Sequence, residues 1–229
     1  MNAVPKDYDS DPERFRTNVK SVEKFGLQGD VHEPVVDKLV TAGVTSILDL
    51  GCGEGRFTRP AREQGLSVVA FDYSRTMLTA VAKPAVQGDA NELPFASNQF
   101  EAVVALYMLY HLANPRLAIA ESQRVLRNGG WFIVSVPSRH NDPELASILP
   151  QSKRTFDAEN GLEMIRDYFQ NIEVERWDDP LVHLPDQNAL RHYLRGRQLN
   201  AETIDTAVAT IKTPLTLTKR GALFVARKS

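Results

Sequence analysis

The chain has 229 residues, 42% hydrophobic and 24% charged, with a formal net charge of −2; this fits one α/β domain with a modest addition and argues against a protein whose main task is gripping nucleic acid. A single cysteine, Cys52, excludes an internal disulfide and a cysteine metal cluster. No apolar run approaches the roughly 20 residues that span a bilayer, and Met1–Lys20 lacks a signal-type apolar core, so a cytoplasmic protein without a membrane partner is expected.

Residues 1–30 show little periodicity and are punctuated by Pro5, Pro12, Gly26 and Gly29; they read either as a solvated tail or as a lid anchored by Phe15 and Phe25. A helix is predicted over Pro34–Ala42, with Pro34 in its first turn and Gly43 as its stop. A regular alternation follows. Strands are predicted at Ser46–Leu50, Ser67–Phe71, Ala85–Gln87, Ala102–Leu106 and Trp131–Val136, with helices at Arg56–Gln64, Arg75–Ala82 and Pro115–Leu126 between them. Arg127-Asn128-Gly129-Gly130 is expected to end the last of these helices.

Strands alternating with helices predict a parallel sheet covered on both faces, and near-continuous apolar strands such as Ala102-Val103-Val104-Ala105-Leu106 agree. After Pro137 the rhythm breaks. Ser138–Thr155 reads as a loop with a short helix, Ala158–Phe169 as a helix and Ile172–Trp177 as a strand. Asp186–Leu194 and Ala201–Ile211 read as two helices, and Ala222–Ala226 as the final strand. The expectation is one Rossmann-like domain over 1–229 with a mostly parallel seven-stranded sheet. It divides into an N-terminal segment (1–30), a core (31–137) and a helix-rich elaboration before the last strand (138–229).

In such a sheet, ligands bind outside the carboxyl ends of the strands. Four successive strands deliver polar residues there. The first is followed by Asp49 and the Gly51/Gly53/Gly55 loop, where glycine permits positive φ and close approach of a ligand to main chain. The second delivers Asp72, 21 positions beyond Gly51, a spacing suited to a carboxylate on ribose hydroxyls. The third leads to Gly88-Asp89-Ala90 and the fourth to Tyr107-Met108-Leu109-Tyr110-His111. The glycine spacing is not the Gly-x-Gly-x-x-Gly of NAD sites, and no Gly-Lys-Ser/Thr of a Walker loop is present.

The phrase Asp49-x-Gly51-x-Gly53-x-Gly55 resembles motif I of the class I S-adenosylmethionine (SAM)-dependent methyltransferases. Gly88-Asp89-Ala90 with Leu93-Pro94-Phe95, then Phe100–Val104, Tyr110-His111-Leu112 and Arg124–Gly130 extend the resemblance to the ubiquinone-biosynthesis-like group, of methyltransferase domain 11 type. The resemblance runs from about Pro34 to Pro137. It implies SAM as cofactor, with Gly51 and Gly53 facing its methionine portion beside Cys52, and Asp49 near its amino group. It further implies Asp72 on the ribose, Tyr73 against adenine, Asp89 and Ala90 at the adenine amino group, and the main chain of Leu106 bordering the sulfur. Glu101 stands where many relatives have Asp, Tyr110 where they have His, and Asn128 where Lys or Pro is more usual.

A sulfonium methyl is already activated, so the protein mainly has to align acceptor and donor and exclude water. His111 is the candidate base or acceptor-orienting group, with Tyr107 and Tyr110 as candidate pocket walls. Each also has a plainer reading: packing for the tyrosines and His111, a cap for Asp49 or Asp72, a turn for Asp89, a small filler for Cys52. No histidine spacing implies a metal. The expected activity is methyl transfer to an O, N or C atom of a small molecule, by a monomer or homodimer. Alternatives are an RNA nucleobase methyltransferase, suggested by Arg191, Arg195, Arg197 and the basic tail, a non-catalytic SAM-binding protein, or an NAD-dependent oxidoreductase.

Overall fold

A computed structural model describes residues 11–149, 154–197 and 199–229. Its elements, in chain order, are α1 (Pro12–Phe25), α2 (His32–Thr41), β1 (Ser46–Leu50), α3 (Thr58–Glu63), β2 (Ser67–Asp72), α4 (Arg75–Leu78), β3 (Ala85–Gln87), β4 (Phe100–Leu106), α5 (Pro115–Val125), β5 (Leu126–Pro137), α6 (Gly161–Arg166), β6 (Asn171–Leu184), α7 (Gln187–Arg195), α8 (Ala201–Thr210) and β7 (Leu215–Arg227). The seven strands form one sheet in the order β3-β2-β1-β4-β5-β7-β6. β1 to β5 run parallel, and β7 enters antiparallel between β5 and β6. The Rossmann-like expectation is met, and the order reverses at β1/β4, where the glycine loop leaves the sheet.

Period-2 alternation sorts the central strands onto two cores. Leu48, Leu50, Val103, Ala105, Phe132 and Val134 face one side and pack with Ile119 of α5 and Ile165 of α6. Ile47, Ala102, Val104 and Ile133 face the other and meet Val35 and Leu39 of α2 and Ala61 of α3. Both faces being covered is the reason these strands carry almost no polar residues. Asp49 in β1, buried to 2% exposure, and the buried Ser135 in β5 are exceptions.

Three departures from the sequence reading shape the site. First, residues 12–25 form a helix. Asp11 caps it by accepting from the Arg14 amide at 3.2 Å, with Pro12 in its first turn. Residues 1–10 of the tail-or-lid segment lie outside the described residues, as do 150–153 of the loop expected over Ser138–Thr155.

Second, α5 stops one turn before the glycine pair: Leu126 is already extended (φ −71°, ψ 142°) and opens β5, so Gly129 (φ +76°) serves the irregular stretch of β5 between the Leu126 and Trp131 pairings rather than a helix cap. Third, β6 and β7 are about twice the predicted length. Their pairing continues from Asn171↔Arg227 out to Leu184↔Leu215, whereas β5 pairs with β7 only from Gly221 onwards. Asp178-Asp179-Pro180 reads as a breaker, yet β6 is the sheet edge, where proline sacrifices no ladder bond, and the register shifts between Pro180 and Val182. The resulting two-stranded arm carries its own core of Val182, Leu184 and Leu217 with Leu190, Tyr193 and Leu194 of α7 and Ile204 of α8. Among the described residues no helix is long and apolar enough to cross a membrane.

Candidate active site

The chain leaves β1 through Gly51 and Cys52, whose amides both donate to the Phe71 carbonyl at 2.8 and 3.0 Å. Gly51 (φ +71°) and Gly53 (φ +53°) adopt the left-handed conformation. A Cβ on Gly51 would stand 2.6 Å from Cβ of Met108, so any side chain there would push against the strand end across the cleft. The Asp72 carboxylate holds the loop from β2: Oδ2 accepts from the Gly53 amide and Oδ1 from the Ser74 amide, each at 2.8 Å. Ser74, not Asp72, caps α4.

Asp49 lies beneath the loop and accepts from the Thr58 hydroxyl. Burial, opposed by that hydrogen bond and reinforced by the nearby Asp72 charge, pushes its carboxyl up to about 7. Burial, with both carboxylates close by, also pushes the Cys52 thiol up, so it stays protonated and acts as a small filler.

Farther along the strand ends, Tyr73, Gln87, Gly88 and Asp89 line a shallow depression. The Tyr73 ring is 73% exposed and Ala90 is buried. Asp89 Oδ1 accepts from the Asn91 amide and side chain at 2.8 and 2.9 Å, so one carboxylate oxygen forms a turn.

After β4, Leu106 is buried and Tyr107 takes a positive φ of 57°. Burial pushes the Tyr107 phenol up to about 12, which suits a neutral pocket wall rather than a base. The 3₁₀ turn Leu109–His111 brings the Tyr110 and His111 rings together, centroids 4.2 Å apart and planes inclined by 50°. The structure therefore brings every sequence-derived site residue to one end of the parallel strands.

It also brings residues that the sequence reading passed over. α1 lies across the glycine loop: Phe15 Cζ is 3.6 Å from where a Cβ on Gly53 would stand, and Arg16 Nε donates to Glu54 at 2.8 Å. Asp30 pairs with Arg56 and accepts from His32 Nδ1 at 2.6 Å. Burial opposes charge on Asp30, but the His32 hydrogen bond and the Arg56 charge hold its carboxyl down at about 2. The His32 ring in turn lies 6.3 Å from that of Tyr107. A signal for α1 was available, because Asp11-Pro12 is a helix-start pair and Phe15, Val19, Val22 and Phe25 recur at helical spacing. For Asp30 and Arg56 there was none beyond charge.

Residues 48–134 match the family described as "Methyltransferase domain". That match takes in β1 to β5 and the glycine loop. The chain is 36% identical over 106 residues to the demethylmenaquinone methyltransferase of Renibacterium salmoninarum, covering 44% of this chain and 45% of that one. With the demethylmenaquinone methyltransferase of Corynebacterium urealyticum it shares 33% identity over 151 residues, 65% of this chain and 62% of that one. The chain thus spans under half of the first relative's length. A SAM-dependent methyltransferase from Archaeoglobus fulgidus shares the fold, with a TM-score of 0.58 and 18% identity over 91% of this chain and 99% of that one.

The residues present fit SAM. A glycine bend that a Cβ would close, flanked by one buried and one loop-bound carboxylate, suits a ligand with an ammonium at one end and hydroxyls at its middle. The exposed Tyr73 ring offers a flat apolar face next to Asp89.

Proposed function

We propose that this protein transfers a methyl group from SAM to an O, N or C atom of a small-molecule acceptor. The observation that carries the reading is the coincidence of the matched methyltransferase domain with a positive-φ glycine loop held by Asp72 at the switch point of the sheet. SAM, when bound, supplies an activated methyl. Asp49 pairs with the cofactor ammonium, the Asp72 carboxylate takes ribose hydroxyls, and Asp89 with Ala90 meets the adenine edge. Tyr107 and Tyr110 wall the acceptor side, and His111 orients the acceptor or takes its proton. α1 acts as the lid: it joins the glycine loop, through Arg16–Glu54, to α7, whose Gly196 backbone packs so closely that a Cβ would stand 2.7 Å from Cα of Asn18. Closure excludes water from the reacting atoms.

Calorimetric titration with SAM, S-adenosylhomocysteine and NAD tests this reading. Binding of the first two in the micromolar range, with none of NAD, is expected; absence of S-adenosylhomocysteine binding at tens of micromolar overturns it. Asp72→Ala is expected to weaken S-adenosylhomocysteine by about 1.5–3 kcal/mol, the cost of removing a charged acceptor from two hydroxyls. The same change frees the Gly53 and Ser74 amides, so a lower melting temperature should accompany it; unchanged affinity in the folded variant contradicts the ribose role. His111→Ala should lower turnover of labelled SAM with a metabolite extract, on the order of the 10²–10⁴-fold typical of acid–base groups if it moves a proton, with cofactor affinity unchanged. Equal turnover assigns His111 to packing.

A further inference from the structure

Beyond His111, the wall of the acceptor side is cationic. Thr155 donates its hydroxyl to the Leu112 carbonyl at 2.7 Å and so docks its neighbour Arg154 on the turn after β4. The Arg154 guanidinium carbon lies 5.3 Å from the Tyr110 ring centroid. From the arm side comes Arg197, just past α7, whose guanidinium sits 4.3 Å from the Tyr193 ring centroid and reaches Asp142 Oδ2 at 3.4 Å. Lys219 Nζ donates to the other Asp142 oxygen at 2.6 Å. Arg14 of the lid donates to the Gly196 carbonyl at 3.4 Å, next to Arg197. Burial pushes the Tyr110 phenol above the ordinary tyrosine value, and the charges of Arg154, Arg197 and Arg14 all pull it back, which puts three guanidinium groups within electrostatic reach of one phenol.

The hydrogen bonds of these cations do not close among themselves. Among the described residues, Arg197 and Lys219 share a single carboxylate, Asp142, and Arg154 pairs with none. Arg154 Nη1 and Arg197 Nε are sealed from solvent with no hydrogen-bond partner among the described residues. Leaving a buried donor without an acceptor is costly, the more so when it is charged, so these two donors point to a group that satisfies them. Planar guanidinium forks match the oxygens of a carboxylate or phosphate. We propose that the acceptor carries an anionic group, a carboxylate or phosphate monoester, which Arg154 and Arg197 hold beside Tyr110 so that the rest of the molecule reaches the methyl. The inference rests on the methyltransferase reading for its acceptor but not for its anion site.

The test titrates the S-adenosylhomocysteine-loaded protein with phenyl phosphate, benzoate and neutral benzyl alcohol. At least one anion should bind ten or more times tighter than benzyl alcohol, and whichever does so names the group. Arg154→Gln should remove that preference and Arg154→Lys restore part of it, both with unchanged S-adenosylhomocysteine affinity and melting temperature. Equal binding of the three probes, or a preference that survives in Arg154→Gln, overturns the proposal. Should the wild-type protein fail to bind S-adenosylhomocysteine, the cofactor reading falls, and the same probes on the protein alone still decide the anion site. Should Arg154→Gln not fold, the comparison rests on Arg154→Lys, whose point charge should cost several-fold for the anions and nothing for benzyl alcohol; equal losses for all three would also overturn it.

Discussion

At pH 8 the ligand-free Asp49→Asn protein is expected to melt several degrees above the parent, and the gap should narrow as the pH falls to 5 and close only below pH 3.8. The folded carboxyl titrates at about 7 against an ordinary 3.8, because burial disfavours its charge and Asp72 repels it. A raised folded value means that the stabilising contribution is complete below pH 3.8 and is lost as pH rises through 7. The whole shift corresponds to about 4 kcal/mol, an upper figure for the gain on removing the charge. At roughly 2–4 °C per kcal/mol for a chain of this size, even half of it is readily measured. A parent whose melting is flat between pH 5 and 8 contradicts the burial argument. The cofactor should reverse the preference, since an ammonium beside Asp49 favours the carboxylate. Affinity of the parent for S-adenosylhomocysteine should therefore climb from pH 5 to 7, and Asp49→Asn should bind more weakly without that slope. A residue that lowers the stability of the free protein in exchange for binding is a common feature of functional sites.

Asp142→Ala is expected to be the most destabilising single change, about 3–5 kcal/mol, because it strands buried positive charge. Asp142 is buried in the αL conformation at the root of the arm, where its carboxylate accepts from the Tyr193 hydroxyl at 2.9 Å and pairs with Lys219 and Arg197. Burial works against its charge, yet Lys219, Arg197 and the hydrogen bonds hold its carboxyl below the ordinary value. A lowered folded value contributes stability above the unfolded value that is lost as pH falls through the folded one, so the parent should approach the variant only in acid. Urea melts of both proteins at pH 7 and pH 3 check this. Asp142→Asn separates charge from shape, retaining part of the hydrogen bonding while losing the ion pairs. Affinity for S-adenosylhomocysteine should survive in whatever fraction stays folded, since Asp142 touches the arm and not the glycine loop. Stability equal to the parent at pH 7 would remove Asp142 from any structural role.

How far a residue could be read from the chain depended on how local its cause was. β1 and β3 fall on their predicted bounds because buried parallel strands are continuous apolar runs between glycines and polar turns. The positive φ at Gly51 and Gly53 followed from the glycine spacing alone. α1 was hidden by the charges between its apolar positions, which make sense only once Phe15 rests on Gly53 and Arg16 on Glu54. The long arm was hidden by Pro180, a breaker in a central strand but harmless at an edge, and edges exist only in the assembled sheet. Arg154 and Arg197, 43 positions apart, read as unrelated surface charges. Nothing in either neighbourhood announces that Arg154 lies over the Tyr110 ring or Arg197 over that of Tyr193.

The sequence by itself determined the α/β architecture, the glycine loop and the acids Asp49, Asp72 and Asp89, because each depends on strand periodicity and on what must follow a strand. The tertiary structure decided that α1 rests on the glycine loop, that β6 and β7 extend into an arm, and that Arg154 lies over Tyr110. Those are made by contacts between segments far apart in the chain, whose entropic cost is recovered only when the arm and α1 bury their apolar faces together.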